Sequence, residues 1–188
     1  MSVNSMLLKT KHALATRLSS PKFWLGLARD IFIMAVILIG VSMYLQRDMA
    51  SGAAPHIQAS LISGEQIHLF KQKSDKPTLV YFWGTWCPIC SVTSPAVNGI
   101  TKDGHQVVTI AVASGSNSQI SQYLDEHQYQ FATVNEQQTK QPLSEQWGAH
   151  ALPSIYLVNS NNQIVMTTSG ATSYWGLKLR LWLVELLA

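Results

Sequence analysis

The chain has 188 residues and a formal charge of +3, and 47% of its residues are hydrophobic. Two cysteines, Cys87 and Cys90, are too few for a disulfide scaffold, so a hydrophobic core must hold the domain together. Residues 1–54 hold six Lys/Arg against two Asp, whereas residues 55–188 hold seven against eight acidic residues. A nucleic-acid-binding protein carries its basic excess on the folded domain, so this distribution excludes that class.

An apolar run near the N-terminus predicts a membrane anchor. Residues 31–45 contain no charge, and residues 23–27 extend the run backward towards the length of about 20 residues that spans a bilayer. Five Lys/Arg precede residue 31 and only Arg47 follows closely, which places the N-terminus in the cytoplasm. A cleaved signal peptide and a buried core helix are the alternatives, but the basic segment before the run is long for a signal peptide.

This pattern divides the chain into four predicted segments. They are a cytoplasmic basic segment at 1–22, a transmembrane anchor at 23–45, a linker at 46–60 and a folded domain at 61–188. The linker is predicted because its residues are mostly small and polar.

The first half of the domain predicts a hairpin followed by a βαβ unit. The hairpin pairs residues 61–62 with residues 67–70 around a glycine-containing turn. Residues 78–83 and 106–113 are apolar runs typical of buried strands, with a helix between them that starts near Cys87. Strand, helix and strand in this order predict two parallel strands with a right-handed crossover.

The second half predicts further alternation of helices and strands. The predicted elements are a helix from Ser118 to about residue 127, a strand at 131–134, a short helix at 142–147, a hairpin of 154–158 with 163–168, and a last helix capped by Ser173. Apolar residues recur at helical spacing along the last helix, and we interpret them as a core-facing stripe; they are Trp175, Leu179, Trp182, Leu183 and Leu186.

The two cysteines carry the chemistry. A Cys-x-x-Cys pair is found in zinc sites, Cu(I) clamps, structural disulfides and redox centres. No histidines stand at paired ligand spacing, so we predict no metal site and no cofactor, and a disulfide closing so short a loop stabilises little. Cys87 falls where strand gives way to helix, where free backbone N–H groups stabilise a thiolate, and Pro88 suits the first helical turn. Cys87 is thus the predicted attacking thiol and Cys90 the resolving thiol.

Two stretches resemble a known family. Residues 78–90, Thr-Leu-Val-Tyr-Phe-Trp-Gly-Thr-Trp-Cys-Pro-Ile-Cys, with Pro95 five residues later, resemble the thioredoxin superfamily. Residues 147–157 are similar to the segment in which that superfamily has a cis-proline before a strand. The likeness is greatest to the membrane-anchored TlpA-like thiol:disulfide oxidoreductases, which include the DsbE type of cytochrome c maturation and the suppressor-of-copper-sensitivity D type. It implies an α/β thioredoxin fold, a central mixed sheet flanked by helices, here with an N-terminal hairpin and a single N-terminal transmembrane helix.

The resemblance also implies a substrate site. Pro153 is expected to be cis and to lie against the cysteine pair, with the Leu152 backbone available to a substrate strand. Trp86, Pro88 and Leu152 are expected to form an apolar lip, although core packing is the alternative for Trp86.

At two positions near this site the sequence departs from the family, and a third position carries a histidine. The superfamily has a buried acid at the position of Tyr81, and some TlpA-like proteins have one at the position of Thr93, so the usual carboxylate is missing from both places. His150 is a candidate modulator of the thiolate, with a solvated loop histidine as the alternative.

The predicted function is dithiol–disulfide exchange with protein substrates. We expect a reductase in the periplasm, held to a bacterial inner membrane by residues 23–45 and recharged by an integral-membrane thiol carrier. Pro88 gives the Cys-Pro-x-Cys pattern that also occurs in oxidising members, so a disulfide-forming oxidase is one alternative. A Cu(I)-binding thiol module in copper tolerance is the other, because thiolates suit that ion.

Overall fold

The computed structural model describes residues 21–74 and 76–186, and the chain divides into two units near residue 44. One long helix, α1 (Pro21–Gln46), begins in the first unit and ends two residues into the second. Its segment Phe23–Tyr44 is, within the described ranges, the one helix that is long and apolar enough to cross a membrane. The predicted anchor at 23–45 coincides with this helix, which is a candidate membrane span. The predicted basic segment 1–22 lies outside the described residues except for its last two.

The second unit is an α/β domain. Its elements in chain order are β1 (Gly52–Ala53), β2 (Ile57–Ser60), β3 (Gln66–Leu69), β4 (Thr78–Trp83), α2 (Pro88–Lys102), β5 (Gln106–Ala111), α3 (Asn117–Glu126), β6 (Ala132–Asn135), a 3-10 turn (Glu136–Gln138), α4 (Leu143–Gln146), β7 (Ser154–Val158), β8 (Gln163–Ser169) and α5 (Tyr174–Leu186). Six strands form one mixed sheet in the order β1-β8-β7-β4-β5-β6, and β2 pairs with β3 in a separate hairpin.

Strand β4 lies inside the sheet, between β7 and β5, and all six of its residues are buried. It pairs in parallel with β5, through the crossover helix α2, and antiparallel with β7. The register sets Phe82 opposite Ser154, so the end of β4 and the start of β7 lie at the same end of the sheet. The residues that follow β4 and those that precede β7 therefore meet at that end, which carries the cysteines.

Two apolar layers cover the faces of this sheet. One contains Tyr81, both cysteines and the buried residues of α2, α3 and α5. The other contains Val80, Phe82 and Trp147, together with buried residues of the β2–β3 hairpin. Helix α2 thus packs on one face of the sheet, while the hairpin covers the opposite face.

The predicted linker at 46–60 is wrong for most of its length. Gly52 and Ala53 pair with Ile164 and Gln163 at the edge of the sheet, and Ile57–Ser60 is the first strand of the hairpin. Met49 is already buried in the domain. The first strand of the hairpin therefore begins four residues earlier than predicted, whereas its second strand, Gln66–Leu69, begins only one residue earlier. The first strand was missed because small residues such as Ala59 alternate inward with polar ones and give a weak apolar signal.

The predicted core stripe of the last helix is also wrong. Trp175, Leu179, Trp182 and Leu186 are 54–75% exposed, whereas Leu177, Leu181 and Val184 are buried. Both sets recur at helical spacing on opposite sides of α5, so periodicity alone could not say which side faces the sheet. The predicted cap is confirmed, since Gly176 N donates a hydrogen bond to Ser173 Oγ.

Candidate active site

The junction between β4 and α2 positions the cysteine pair. Cys87 is the N-cap residue of α2, with an extended backbone, and Pro88 is the first helical residue. Cys87 N donates a hydrogen bond to Gly84 O at 3.2 Å, which turns the chain sharply between strand and helix. Proline is favourable at this helical position because its missing N–H would have had no partner within the helix.

Cys87 and Cys90 are joined in a disulfide, with their Cα atoms 5.2 Å apart. Cys90 N donates a hydrogen bond to Cys87 Sγ at 3.2 Å, as the first-turn N–H groups of a helix do to an N-cap acceptor. Cys87 is 6% exposed and Cys90 is 1% exposed. After reduction the same N–H group would face the Cys87 thiolate, and the more enclosed Cys90 would lie behind it.

The ring of Trp86 is folded back over the loop that precedes the cysteines. Trp86 Nε1 donates a hydrogen bond to Val112 O at 3.1 Å, yet the side chain remains 59% exposed. A Cβ added to Gly84 would lie 2.8 Å from that Nε1 atom. Glycine at position 84 therefore leaves the space that the indole occupies, and the indole forms an apolar surface beside Cys87.

Tyr81 occupies the place of the missing carboxylate and binds the backbone of α2. Its hydroxyl lies 3.0 Å from Ser94 Oγ and donates to Cys90 O at 3.4 Å. Burial raises the pKa of Tyr81, so the hydroxyl keeps its proton through neutral pH. Thr93, at the second expected acid position, donates its hydroxyl to Ile89 O within its own helix.

The segment before β7 completes this end of the sheet. The Leu152–Pro153 peptide bond is cis, as the sequence resemblance predicted. Pro153 is buried, and its carbonyl accepts a hydrogen bond from Gly170 N at 2.9 Å. Leu152 is partly buried and packs against the apolar layer that contains both cysteines. Leu152 and the cysteine pair thus belong to one continuous region.

Comparisons with known proteins agree with this geometry. The family model described as AhpC/TSA matches residues 51–167. The chain belongs to the AhpC/TSA family. It is 36% identical to a thioredoxin-like protein of Haemophilus influenzae, over 83% of this chain and 92% of that protein. It is 22% identical to the thiol-disulfide oxidoreductase ResA of Halalkalibacterium halodurans, over 79% of this chain and 87% of ResA.

A solved structure agrees on the fold. The thiol:disulfide interchange protein of the thioredoxin family from Chlorobium tepidum matches with a TM-score of 0.61 and 18% identity, over 73% of this chain and 98% of the other. Together with the Cys-x-x-Cys pair, the family places this chain among the thioredoxin-like thiol:disulfide oxidoreductases. Proteins of this kind act on thiols and disulfides of other proteins.

Sequence reasoning found the cysteines of this thioredoxin-like protein but not their supports. Ser94 supports the site through a contact that no local pattern predicts, since it meets Tyr81 across 13 residues of chain. Gly84 lies inside the motif, but only the folded structure shows that its missing side chain leaves space for the Trp86 ring. His150 is exposed, and no contact in the described part of the chain supports a role for it. Among the described residues, no cluster of three or more His, Cys, Asp or Glu could hold a metal ion.

Proposed function

We propose that this protein is a membrane-tethered reductase of protein disulfides, with Cys87 as the attacking thiol and Cys90 as the resolving thiol. The observation that carries the proposal is the position of Cys87 at the N-cap of α2, where its sulfur accepts the Cys90 N–H. A thiolate there gains from the backbone N–H and from the helix dipole. Cys90, one turn later, is close enough to displace a substrate from Cys87.

The reaction proceeds by two thiol–disulfide exchanges. The Cys87 thiolate attacks one sulfur of the substrate disulfide, forms a mixed disulfide and releases the other substrate sulfur as a thiol after it takes up a proton. The Cys90 thiol then loses its proton and attacks Cys87 Sγ, which releases the second substrate thiol and forms the Cys87–Cys90 disulfide. The substrate gains two electrons from the cysteine pair. One of its two new protons comes from the Cys90 thiol and the other from the solvent, because Cys87 reacts as a thiolate.

The uncharged surroundings of the pair support the reducing direction. No Asp, Glu, Lys or Arg occurs between Lys76 and Lys102, and the hydrogen bond that Cys87 Sγ accepts comes from a backbone N–H. Oxidising members of this chemistry owe their high potential to strong stabilisation of the reduced thiolate form. Because this segment has no charged side chains, the Cys87 thiolate receives less electrostatic stabilisation than in those oxidising proteins. The disulfide is then relatively stable, and the dithiol is the better electron donor.

The substrate contacts are proposed to lie on the apolar lip around Cys87. Trp86 and Pro88 are exposed beside it, and Leu152 and Pro153 lie on the segment that reaches the same end of the sheet. An extended substrate strand laid along Leu152 would bring its cysteine to the disulfide.

The proposed setting is the periplasmic face of a bacterial inner membrane. The apolar helix over Phe23–Tyr44 and the basic residues before it support a single-pass anchor with the domain outside the cytoplasm. An oxidised pair in that compartment must be reduced again from outside the chain, and a thiol carrier within the same membrane is the proposed source. Extraction of the full-length chain only by detergent, and not by alkaline carbonate, is the expected result for the anchor.

A redox titration tests the function. The full-length chain in detergent is equilibrated with glutathione buffers, and the Cys87–Cys90 pair is followed by alkylation. We expect a potential near the range of about −200 to −270 mV found for glutaredoxins and thioredoxin, and not the value of about −120 mV of a strong oxidant. Failure to cycle would overturn the enzyme assignment. A value near −120 mV would reverse the direction, and tight Cu(I) binding without reductase activity would favour the metal-binding alternative.

A further inference from the structure

We propose that the exposed apolar stripe of α5 pairs with the same stripe of a second copy of this chain, with the two helices antiparallel. The stripe is formed by four side chains that are each more than half exposed, namely Trp175, Leu179, Trp182 and Leu186. Helix α5 contains neither cysteine, so the inference goes beyond the proposed thiol chemistry and does not depend on it.

The stripe has the spacing of a seam between two helices. Its four residues follow one another at intervals of four, three and four positions. This is the spacing of the apolar positions in a coiled coil, and on a helix the four side chains fall within about 60° of one another. Three buried residues on another side of the same helix, Leu177, Leu181 and Val184, already attach α5 to the sheet. The exposed stripe is therefore a second contact face of the helix.

A groove beside the stripe gives an incoming side chain a place to bind. It has a volume of about 450 Å³ and lies between α5 and His105, the residue before β5. Its apolar lining comes from Trp175, Leu179 and Trp182, and Lys178 and Glu185 line it as well. Large apolar side chains grouped on a surface with a polar rim mark an interaction site, and aromatic anchors in pockets carry much of the binding energy at such sites.

The charged flank of the stripe is complementary to itself when two helices run in opposite directions. Lys178 and Glu185 lie on this flank, about 10.5 Å apart along the axis, on either side of the middle of the stripe. In an antiparallel pair the same flanks face each other, so Lys178 lies within roughly 3 Å along the axis of Glu185 of the second copy. A parallel pair would bring this flank against the opposite one. The positions of the two charges therefore favour the antiparallel direction.

Both charged side chains can accept a further partner. Lys178 Nζ donates to Asp103 Oδ2 at 2.8 Å and to the Tyr174 hydroxyl oxygen at 2.9 Å. Because an ammonium group has three N–H groups, these two bonds leave one for the second copy. Glu185 Oε1 lies 3.6 Å from His105 Nδ1. The side chains of Lys178 and Glu185 are still 45% and 46% exposed, so a second copy can reach both.

The other flank of the stripe is uncharged where it borders the seam. Gly176 and Leu183 lie there, and in an antiparallel pair the glycine of each copy faces the leucine of the other. The third charged residue near the stripe, Arg180, lies about 130° around the helix from the middle of the stripe. It donates a hydrogen bond to Thr172 Oγ1 at 3.0 Å, so its charge is directed away from the seam.

Surface area and confinement favour a second copy as the occupant. The stripe exposes roughly 400 Å² of apolar surface, so a two-fold pair would bury about 800 Å² there. The two flanks bring the total towards the value of about 1,200 Å² at which specific interfaces begin. A contact of this size is weak between freely diffusing chains. The proposed anchor confines all copies to one membrane and so raises their effective concentration.

Energy transfer between copies in lipid vesicles tests the pairing. Full-length chains with the Cys87–Cys90 disulfide intact carry a donor or an acceptor fluorophore at the N-terminus, and the lipid-to-protein ratio at which transfer falls to half is measured. In Leu179→Asn this ratio should be about 100-fold lower, because burial of one leucine contributes about tenfold and a two-fold pair contains it twice. The matched control Val92→Asn changes an exposed aliphatic residue on α2 and should alter the ratio less than threefold.

Charge reversals test the direction of the helices. Lys178→Glu alone, or Glu185→Lys alone, sets like charges opposite each other at two contacts, so each should lower the ratio about tenfold. A mixture of donor-labelled Lys178→Glu chains and acceptor-labelled Glu185→Lys chains restores opposite charges at both contacts. Its ratio should return to within threefold of the wild-type value. Urea unfolding of each variant shows whether a loss of folding is the cause instead.

Each other outcome overturns a distinct claim. Absence of transfer in the wild type, or an unchanged ratio in Leu179→Asn, would overturn the pairing. A mixture that dissociates as easily as the single variants would overturn the antiparallel direction. Absence of transfer, together with quenching by brominated lipids that is lost when Trp175 and Trp182 are changed to Phe, would show that the bilayer covers the stripe instead. Leu179→Asn should reduce glutathione disulfide at the wild-type rate, so a failure of the pairing leaves the proposed function intact.

Discussion

Removing the hydroxyl of Tyr81 tests what replaced the missing carboxylate. In Tyr81→Phe the buried ring remains, and the losses are the contact with Ser94 Oγ at 3.0 Å and the weaker bond to Cys90 O at 3.4 Å. A neutral buried hydrogen bond contributes about 1 kcal/mol, and a buried hydroxyl left without a partner costs about 1–3 kcal/mol. Ser94 stands four residues after Cys90, so its hydroxyl can turn to the same carbonyl. We therefore expect a loss of about 1 kcal/mol in the free energy of unfolding.

Urea unfolding of the oxidised chain measures this loss, with Ser94→Ala and the double variant to complete a cycle. The coupling between the two residues should be at least about 0.5 kcal/mol, because they share one contact. The pH profile of disulfide reduction should not change in Tyr81→Phe, since burial raises the pKa of Tyr81 and the hydroxyl stays protonated at neutral pH. A shifted profile, or a tenfold slower resolving step at unchanged stability, would refute this reasoning and make Tyr81 a proton carrier for Cys90.

Three further changes test other parts of the structure. Gly84→Ala should displace the Trp86 indole, because the new Cβ would lie 2.8 Å from its Nε1, and should slow the reduction of a protein disulfide more than that of glutathione disulfide. The hydrogen bond from Lys178 lowers the pKa of Asp103 in the folded chain. The resulting stabilisation is therefore present above the unfolded pKa of about 3.9 and is lost as the pH falls below it. In Asp103→Asn, the urea concentration at the unfolding midpoint should depend less on pH in this acidic range. Burial raises the pKa of Tyr156, so the free energy of unfolding should decrease as the pH rises above about 10. In Tyr156→Phe this decrease should be smaller, although the variant is expected to be less stable than the wild type at neutral pH.

Long apolar elements were predictable because their burial does not depend on distant partners. Strands β4, β7 and β8 match the predicted limits within one residue, and β5 ends two residues earlier than predicted. The segment at 46–60 failed because its small and polar residues are ordered by pairing with β8 and by the hairpin, which are contacts between distant parts of the chain. Helix α5 has two apolar stripes, so the sequence alone does not show which one faces the sheet. The stripe with the larger Trp side chains is the exposed one.

In the candidate site, too, the features set by neighbouring residues were predictable, and the contacts between distant residues were not. The Cys-Pro-Ile-Cys spacing, the helix start at Pro88 and the cis bond before Pro153 all follow from local sequence and its resemblance. The contact of Tyr81 with Ser94 joins a strand to a helix, so no window of sequence contains it. The hydrogen bond from the Tyr174 hydroxyl to Asp103 likewise joins residues that are 71 positions apart in the chain.

Alkylation of the reduced full-length chain tests most directly whether Cys87 is the attacking thiol and Cys90 the resolving thiol. Iodoacetamide is added over a range of pH, and the labelled positions are read by mass spectrometry. We expect Cys87 to react first, with a midpoint below the free-thiol value of about 8.5, because its thiolate faces the Cys90 N–H at the start of α2. Cys90 should stay unlabelled at those pH values. Equal labelling of both cysteines, or a Cys87 midpoint at or above about 8.5, would contradict the mechanism.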